Sequence, residues 1–317
     1  MNEKKFESMS PSDIIAVRKE LDTKTNSNTI PVKLSSVGKL GLPAVIHVKD
    51  YSYSDAIKMA SANTDAEMVT VLLSVLDNII VEDIELDKLT NQDVLEILLS
   101  IQGTWYSPSV EYPYYVDDTL TGAELKSKEN LSKATILIND VKTSPFPADK
   151  KVPIEVEDSS VGFSAKFDYP RFYEYAIIQD YIDNKYSETD NQMEETERKI
   201  RNKTNTAEEY KKYISYKEKK TIDRINVAQA LKLLEVNGKT LTTIEEKLSA
   251  LEQIPLRVWG VVNNYIEKDL SFGVDPEVTF KCTVTGKEIT RRFPFRILDF
   301  LPTMESINNS RNNVLIR

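Results

Sequence analysis

Two side chains in this 317-residue sequence carry soft-ligand or nucleophile chemistry: His47, its one histidine, and Cys282, its one cysteine. A structural zinc site takes four ligands, mostly Cys and His. His47 and Cys282 cannot complete that set unless carboxylates fill in. Adjacent acids occur at Asp117-Asp118 and Glu245-Glu246, but neighbours in sequence carry no acid–base signature, which needs groups converging on a reacting atom. No glycine-rich dinucleotide or phosphate loop is present, in keeping with only 9 glycines, and no strand-turn-helix frame presents a nucleophilic serine. The expectation is a non-enzyme with no cofactor and no metal site. His47 reads as a structural residue, and Cys282 as a small apolar side chain buried on a strand face.

Composition narrows the partners. Hydrophobic residues make up 40% and charged residues 29%, the balance of a globular protein. A formal net charge of -9 argues against general nucleic-acid binding, which needs a basic face to displace counterions. A local stripe at Arg291, Arg292 and Arg296 is the exception. One cysteine forms no intramolecular disulfide, which fits a reducing compartment. No apolar run approaches the roughly 18 residues that would span a bilayer, and residues 1–7 lack an apolar signal core.

These residues must be positioned by an α+β chain, mostly helical, with small antiparallel β-hairpin modules. Residues 1–30 read as an N-terminal arm, with a short helix over 12–21 and a polar linker after it. An α+β domain follows over 31–169. Its first strand centres on Val45 to Val48. Ser54 is placed to cap a helix over 55–60, and Thr64 to Glu67 form a capping box for a second helix with Met68, Leu72, Val75 and Leu76 on its apolar face. Thr90 to Asp93 open a third, with Leu89 and Val94 as a hydrophobic staple. Gly103 is expected to end it. Trp105, Tyr106, Tyr112, Tyr114 and Tyr115 then read as a proline-bearing aromatic loop. Strands over 134–140, 152–156 and 163–167 suggest one small β layer.

The third segment, 170–317, begins with a protruding charged helical hairpin over 171–225. Acidic and basic residues balance there, the mark of a solvated face, and Thr206 to Glu209 restart the helix with a capping box. The second arm is expected to run on through 227–236 and stop at Asn237-Gly238. Pro255 suits the first position of a later helix, whose buried face carries Val258, Trp259, Val262, Tyr265, Ile266 and Leu270, with Gly273 and Pro276 as its stop. Val278, Phe280, Cys282 and Val284 alternate as on a half-buried strand, Thr285-Gly286 supply a turn, and Ile289, Arg291, Phe293 and Phe295 alternate on the return. Trp259, Phe293, Phe295 and Phe300 are the candidate interface residues. Large aromatics serve equally as hot spots and as core, and both places stay open for these four.

The order of these motifs resembles the T-even-type phage baseplate hub subunit and hub-assembly (tail-assembly chaperone) proteins. The resemblance rests on Gly41-Leu42-Pro43 leading into a strand and helices. It continues with the run from Leu89 to Ile101 ahead of an aromatic segment and a β region. The late unit completes it: Cys282 to Gly286 in the turn, Phe293-Pro294-Phe295, and Asp299-Phe300-Leu301-Pro302. Relatives often carry a Cys-x-x-Cys-Gly-like turn in such units. This chain keeps Cys282 and Gly286 without a second cysteine, so no metal role is carried over. The resemblance implies a non-enzymatic structural or assembly protein of a contractile phage tail, acting in baseplate hub formation by protein–protein docking. Its partners would be other tail or baseplate proteins, with self-association as a further expectation. Its place would be the host cytoplasm during assembly, then the virion tail baseplate. Two other classes stay in view. A metal-dependent hydrolase or nucleotidyl enzyme would need a cleft of converging carboxylates. A portal- or packaging-associated protein would use the stripe at Arg291, Arg292 and Arg296 near DNA.

Overall fold

The computed structural model describes residues 28–62 and 64–301. The expected arm helix at 12–21 lies outside the described residues. The fold is α+β, with helices set among antiparallel sheets of two to four strands.

Strands β1 (Ile30–Lys33) and β2 (Val45–Val48) pair antiparallel. Helices α1 (Tyr53–Ser61), α2 (Asp65–Ile79) and α3 (Asn91–Ile101) follow. The cap of α1 is Ser52 rather than Ser54. The Ser52 hydroxyl accepts from the Asp55 N–H, and the Asp55 carboxylate accepts in return from the Ser52 N–H. The Thr64 hydroxyl accepts from Glu67 at the start of α2. Thr90 and Asp93 form the full reciprocal box on α3, and Leu89 and Val94 are both fully buried beside it.

Gly103 does not end α3. The chain continues through a π turn, Gln102–Tyr106, in which Gly103 passes so close to Ile138 that an added Cβ would lie 3.1 Å from its side chain. The aromatic segment after it is no loop. Strand β3 (Ser109–Tyr115) pairs with β4 (Leu131–Leu137) along its whole length, turning Tyr112 and Tyr114 inward and Tyr115 outward. Pro113 is tolerated because both strands of a two-stranded ribbon are edges.

The expected single β layer over 130–169 is split. β4 returns to β3, whereas β6 (Ile154–Asp158) and β7 (Phe163–Phe167) join β8 (Leu233–Val236) and β9 (Lys239–Thr240) in the order β6-β7-β8-β9. Residues 233–236 are therefore strand rather than helix. Asn237 and Gly238, both at positive φ (49° and 79°), make the two-residue hairpin turn that φ > 0 at both positions selects. A further pair, β5 (Thr143–Ser144) with β10 (Gly273–Val274), crosses the expected boundary at 169, as β7 with β8 does.

The hairpin is α4 (Glu174–Arg201) and α5 (Ala207–Leu231), turning at 202–206 with the Thr206–Glu209 capping box in place. Helices α6 (Ile244–Leu251) and α7 (Leu256–Asn264) follow. Pro255 is the cap residue of α7, one position earlier than expected, and a π turn at Tyr265–Asp269 closes the helix well before Gly273. The last ribbon is β11 (Glu277–Lys281) with β12 (Glu288–Arg292). Val284 departs from the alternation and is exposed in the connecting turn.

Three cores share these elements. The first gathers β1, β2 and α1 to α3 with Phe172, Val274, Phe300 and Leu301. The second joins the four-stranded sheet to α6 and α7. The third lies between the ribbons β3–β4 and β11–β12. Leu34 and Leu42 lie in the first core while Leu40 lies in the second, so the segment 34–42 laces the two together.

Gly273 shows how closely the late segment meets α3. It sits at φ +92°, and the Gln92 side chain occupies the place a Cβ would take, 2.4–2.6 Å away. Gln92 Oε1 accepts from the Val274 N–H at 3.0 Å. Gly273→Ala is expected to lower unfolding stability by more than about 1 kcal/mol, since alanine is strained at positive φ and clashes here as well. Urea denaturation with an unchanged slope and a lower midpoint would bear this out. An unchanged midpoint would show that the β10 contact with α3 is dispensable.

Candidate functional site

The four candidate aromatics do not form one surface. Phe293 and Phe300 are inside the chain's own packing, 3% and 1% exposed, and Trp259 and Phe295 are half-buried. Trp259 meets Phe167 edge-on at 5.2 Å, in the second core. The other three belong to the late module. The expected return strand stops short of Phe293 and Phe295: β12 ends at Arg292, and beyond it the Phe295 N–H donates to the Phe293 carbonyl at 2.9 Å. Both reach Tyr112, with ring centroids 5.4 Å away in each case. Phe280 links Tyr114 (4.9 Å) to Phe293 (5.6 Å), and Phe295 extends to Phe300 at 6.1 Å. Such pairs contribute about 0.5–1.5 kcal/mol each beyond their buried area, so this chain of rings clamps one ribbon on the other and ties both to the first core.

Cys282 sits inside the same clamp. Its sulfur accepts from the Tyr114 hydroxyl at 3.1 Å and the Thr285 N–H at 3.4 Å. Hydrogen bonds from Thr285 and Tyr114 lower the thiol to about 7. His47 is far from this arrangement in role. Its ring Nδ1 and its backbone N–H both engage the Glu82 carboxylate at 2.7 Å. Among the described residues no group of three His, Cys, Asp or Glu side chains is arranged to hold a metal ion, and no helix is long and apolar enough to cross a membrane.

Against the outer side of the clamp runs a groove of about 400 Å³, lined by Tyr115, Pro294 and the guanidinium-bearing Arg291, Arg292 and Arg296. The basic stripe seen in sequence is thus gathered at one place. Arg291 lies 3.6 Å from Asp118.

The hairpin is the other exposed feature. Its arms meet along heptad seams. On α5 the inward positions are Glu209, Tyr213, Tyr216, Lys220, Asp223, Val227 and Ala230, spaced by alternating fours and threes, the period of a coiled-coil seam. Near the body this seam is apolar, where Ile178, Ile182, Tyr186 and Val227 are buried. Further out it is polar. Tyr186 donates to Asp223 at 2.6 Å, Lys185 lies 2.7 Å from the same carboxylate, and Lys220 donates to Asp190 at 2.7 Å. The opposite face of α5 leaves Tyr210, Ile214, Ile222 and Ile225 exposed, the last two by more than half.

Two buried carboxylates were not singled out from the sequence. Glu96, 4% exposed on α3, accepts from the Ser35 N–H at 2.7 Å and from the Ser35 hydroxyl, and borders a polar cavity of about 510 Å³ with Lys33, Ser100 and Asn139. Burial raises it to about 7 against the pull of those hydrogen bonds. Glu174, at the root of the hairpin, is also raised to about 7 by burial, with Asp168 adding repulsion and Arg171 and Lys232 opposing it. The available signal was a single acid inside an otherwise apolar stretch, as Glu96 is between Leu95 and Ile97.

No protein-family model, curated protein or solved structure matches the chain.

A carboxyl whose folded pKa is raised binds its proton more tightly in the native state. Its contribution to stability is therefore present below its ordinary value of 4.5 and lost as pH rises through about 7. Glu96→Gln cannot ionise. Relative to wild type its unfolding free energy is expected to improve steadily between those two pH values, by at most about 3 kcal/mol. Parallel denaturation series across that window measure the difference. A flat difference would mean that Glu96 titrates as an ordinary carboxylate.

Proposed function

We propose that this chain is a non-enzymatic structural or assembly protein that works by docking to other proteins, and that its setting is the baseplate hub of a contractile phage tail. The observation that carries docking is the outward face of α5. A helix already packed through its inner seam leaves Tyr210, Ile214, Ile222 and Ile225 facing solvent. Apolar residues grouped on one face of a protruding element are what a partner surface needs, with tyrosine among the side chains most enriched at binding hot spots. The phage setting rests on the resemblance of the motifs at 41–43, 89–101 and 276–302. In this reading Phe293 and Phe300 act as internal supports. They fix the late ribbon on the body, and the docking contacts are made by the exposed rings and aliphatics of α5.

Capture from infected cells, with mass spectrometry of bound partners and of finished particles, tests the setting. The expected partners are tail or baseplate proteins. Ile214→Glu and Ile222→Glu are expected to keep the wild-type melting temperature, since both positions are exposed, and to lose those partners. Phe293→Ala is expected to act differently, costing about 3–5 kcal/mol of folding stability. Full partner capture by both α5 variants, with folding intact, would overturn the docking surface. Capture limited to proteins unrelated to tails would overturn the setting.

A further inference from the structure

The hairpin is balanced in charge over its length, but one stretch of it, the outer half of α4, is opposite in charge to the basic groove. The groove presents Arg291, Arg292 and Arg296 around Tyr115 and Pro294, with Asp118 also on its wall beside Arg291, in a chain whose net charge is -9. Arg292 is exposed. The outer half of α4 is its complement. Between residues 188 and 197 the sequence has Glu188, Asp190, Glu194, Glu195 and Glu197 with no lysine or arginine. Asp190 is held by Lys220, and Glu195 and Glu197 face Lys199 and Arg201. Glu188 and Glu194 are exposed and make no ion pair among the described residues.

We propose that the acidic outer half of α4 docks into the arginine–tyrosine groove of a second copy of this chain, head to tail. The partner is a second copy because the complementary charges stand on the same chain, and among the described residues no ion pair joins Arg292 to Glu188 or Glu194 within it. Opposed patches of this kind steer encounter and fix register even between molecules whose net charges repel. Arginine and tyrosine are also the side chains that most often carry interface energy. The buried residues of the hairpin cluster near its root, with only Met193 buried further along α4, so the acidic stretch is presented clear of its own core. A head-to-tail contact uses two different surfaces. Each copy in the association keeps one free groove or one free hairpin, and the assembly grows until it closes into a ring or continues as a filament. This inference is independent of the phage setting and of the partner surface on α5.

The test is molar mass by size-exclusion chromatography with light scattering, across protein concentration and salt. Wild type is expected to associate at low salt and dissociate as salt screens the contact. Arg292→Glu alone, and Glu188→Lys with Glu194→Lys, are each expected to weaken association at least about tenfold while keeping the wild-type circular dichroism and melting temperature. Mixed in equal amounts, the two variants are expected to recover it. In the mixture the Lys-bearing hairpin meets the Glu-bearing groove, and the unaltered hairpin meets the unaltered groove. A wild-type chain that stays monomeric at every concentration and salt overturns the proposal, as does a mixture that fails to recover. A parallel titration with double-stranded DNA separates the remaining reading. DNA binding that is lost in Arg292→Glu, by a chain that does not self-associate, would make the groove a nucleic-acid site instead.

Discussion

Helix α3 is buried nearly all round, and that burial dictates much of the remaining structure. A helix with no solvent face must find partners for every polar group it carries, because a buried unsatisfied donor or acceptor costs about 1–3 kcal/mol. Several of its polar side chains are met by other parts of the chain, while Asn91 Oδ1 and Asp93 Oδ1 are buried without a hydrogen-bond partner among the described residues. Thr90 and Asp93 bond one another at the cap through Asp93 Oδ2. Asn91 donates to the Tyr175 hydroxyl at the foot of the hairpin. Gln92 accepts from Val274, and Glu96 accepts from Ser35. Just ahead of the helix, the Lys88 and Leu89 carbonyls accept from the Arg171 side chain and the Phe172 N–H. The polar residues of one eleven-residue helix thus fix the N-terminal lacing segment, the root of the hairpin and the entry to the late ribbon.

The hairpin obeys a different rule. Its seam has the coiled-coil period, but beyond Tyr186 most inward positions carry hydroxyls, charges or aromatic rings with polar tips. Ion pairs in such partly exposed positions contribute about 0–1 kcal/mol each, well below what a packed leucine seam supplies. The outer hairpin therefore keeps its helices through capping, propensity and a polar ladder, and has little core of its own.

Local chemistry was readable from the residues alone. The capping boxes at Thr90 and Thr206 depend on side chains three apart and appear where the sequence places them. Phe293 and Phe295 meet the same ring, Tyr112, although β12 ends before either of them. What failed was whatever depends on distant pairing. Residues 233–236 continue an apolar pattern that also suits a helix, and only the open edge of β7, about seventy residues earlier, makes them a strand. Tyr112 and Tyr114 beside Pro113 resemble a loop until β4 is laid against them. The site suffered from the same limit. Alternation tells which side chains share a face but not what covers it, so the same reading that paired Phe293 with Phe295 could not tell core from interface. The gathering of Arg291, Arg292 and Arg296 with Tyr115 likewise exists only once the two ribbons meet.

The body is locked around α3, and the outer hairpin, with little core of its own, yields separately. Hydrogen exchange resolved by peptide mass spectrometry tests this most directly. Amides of 94–101 are expected to exchange last, only through global unfolding, while those of 188–222 exchange sooner through local opening that leaves the body protected. Equal protection of the two regions, or earlier exchange in 94–101, would contradict the account.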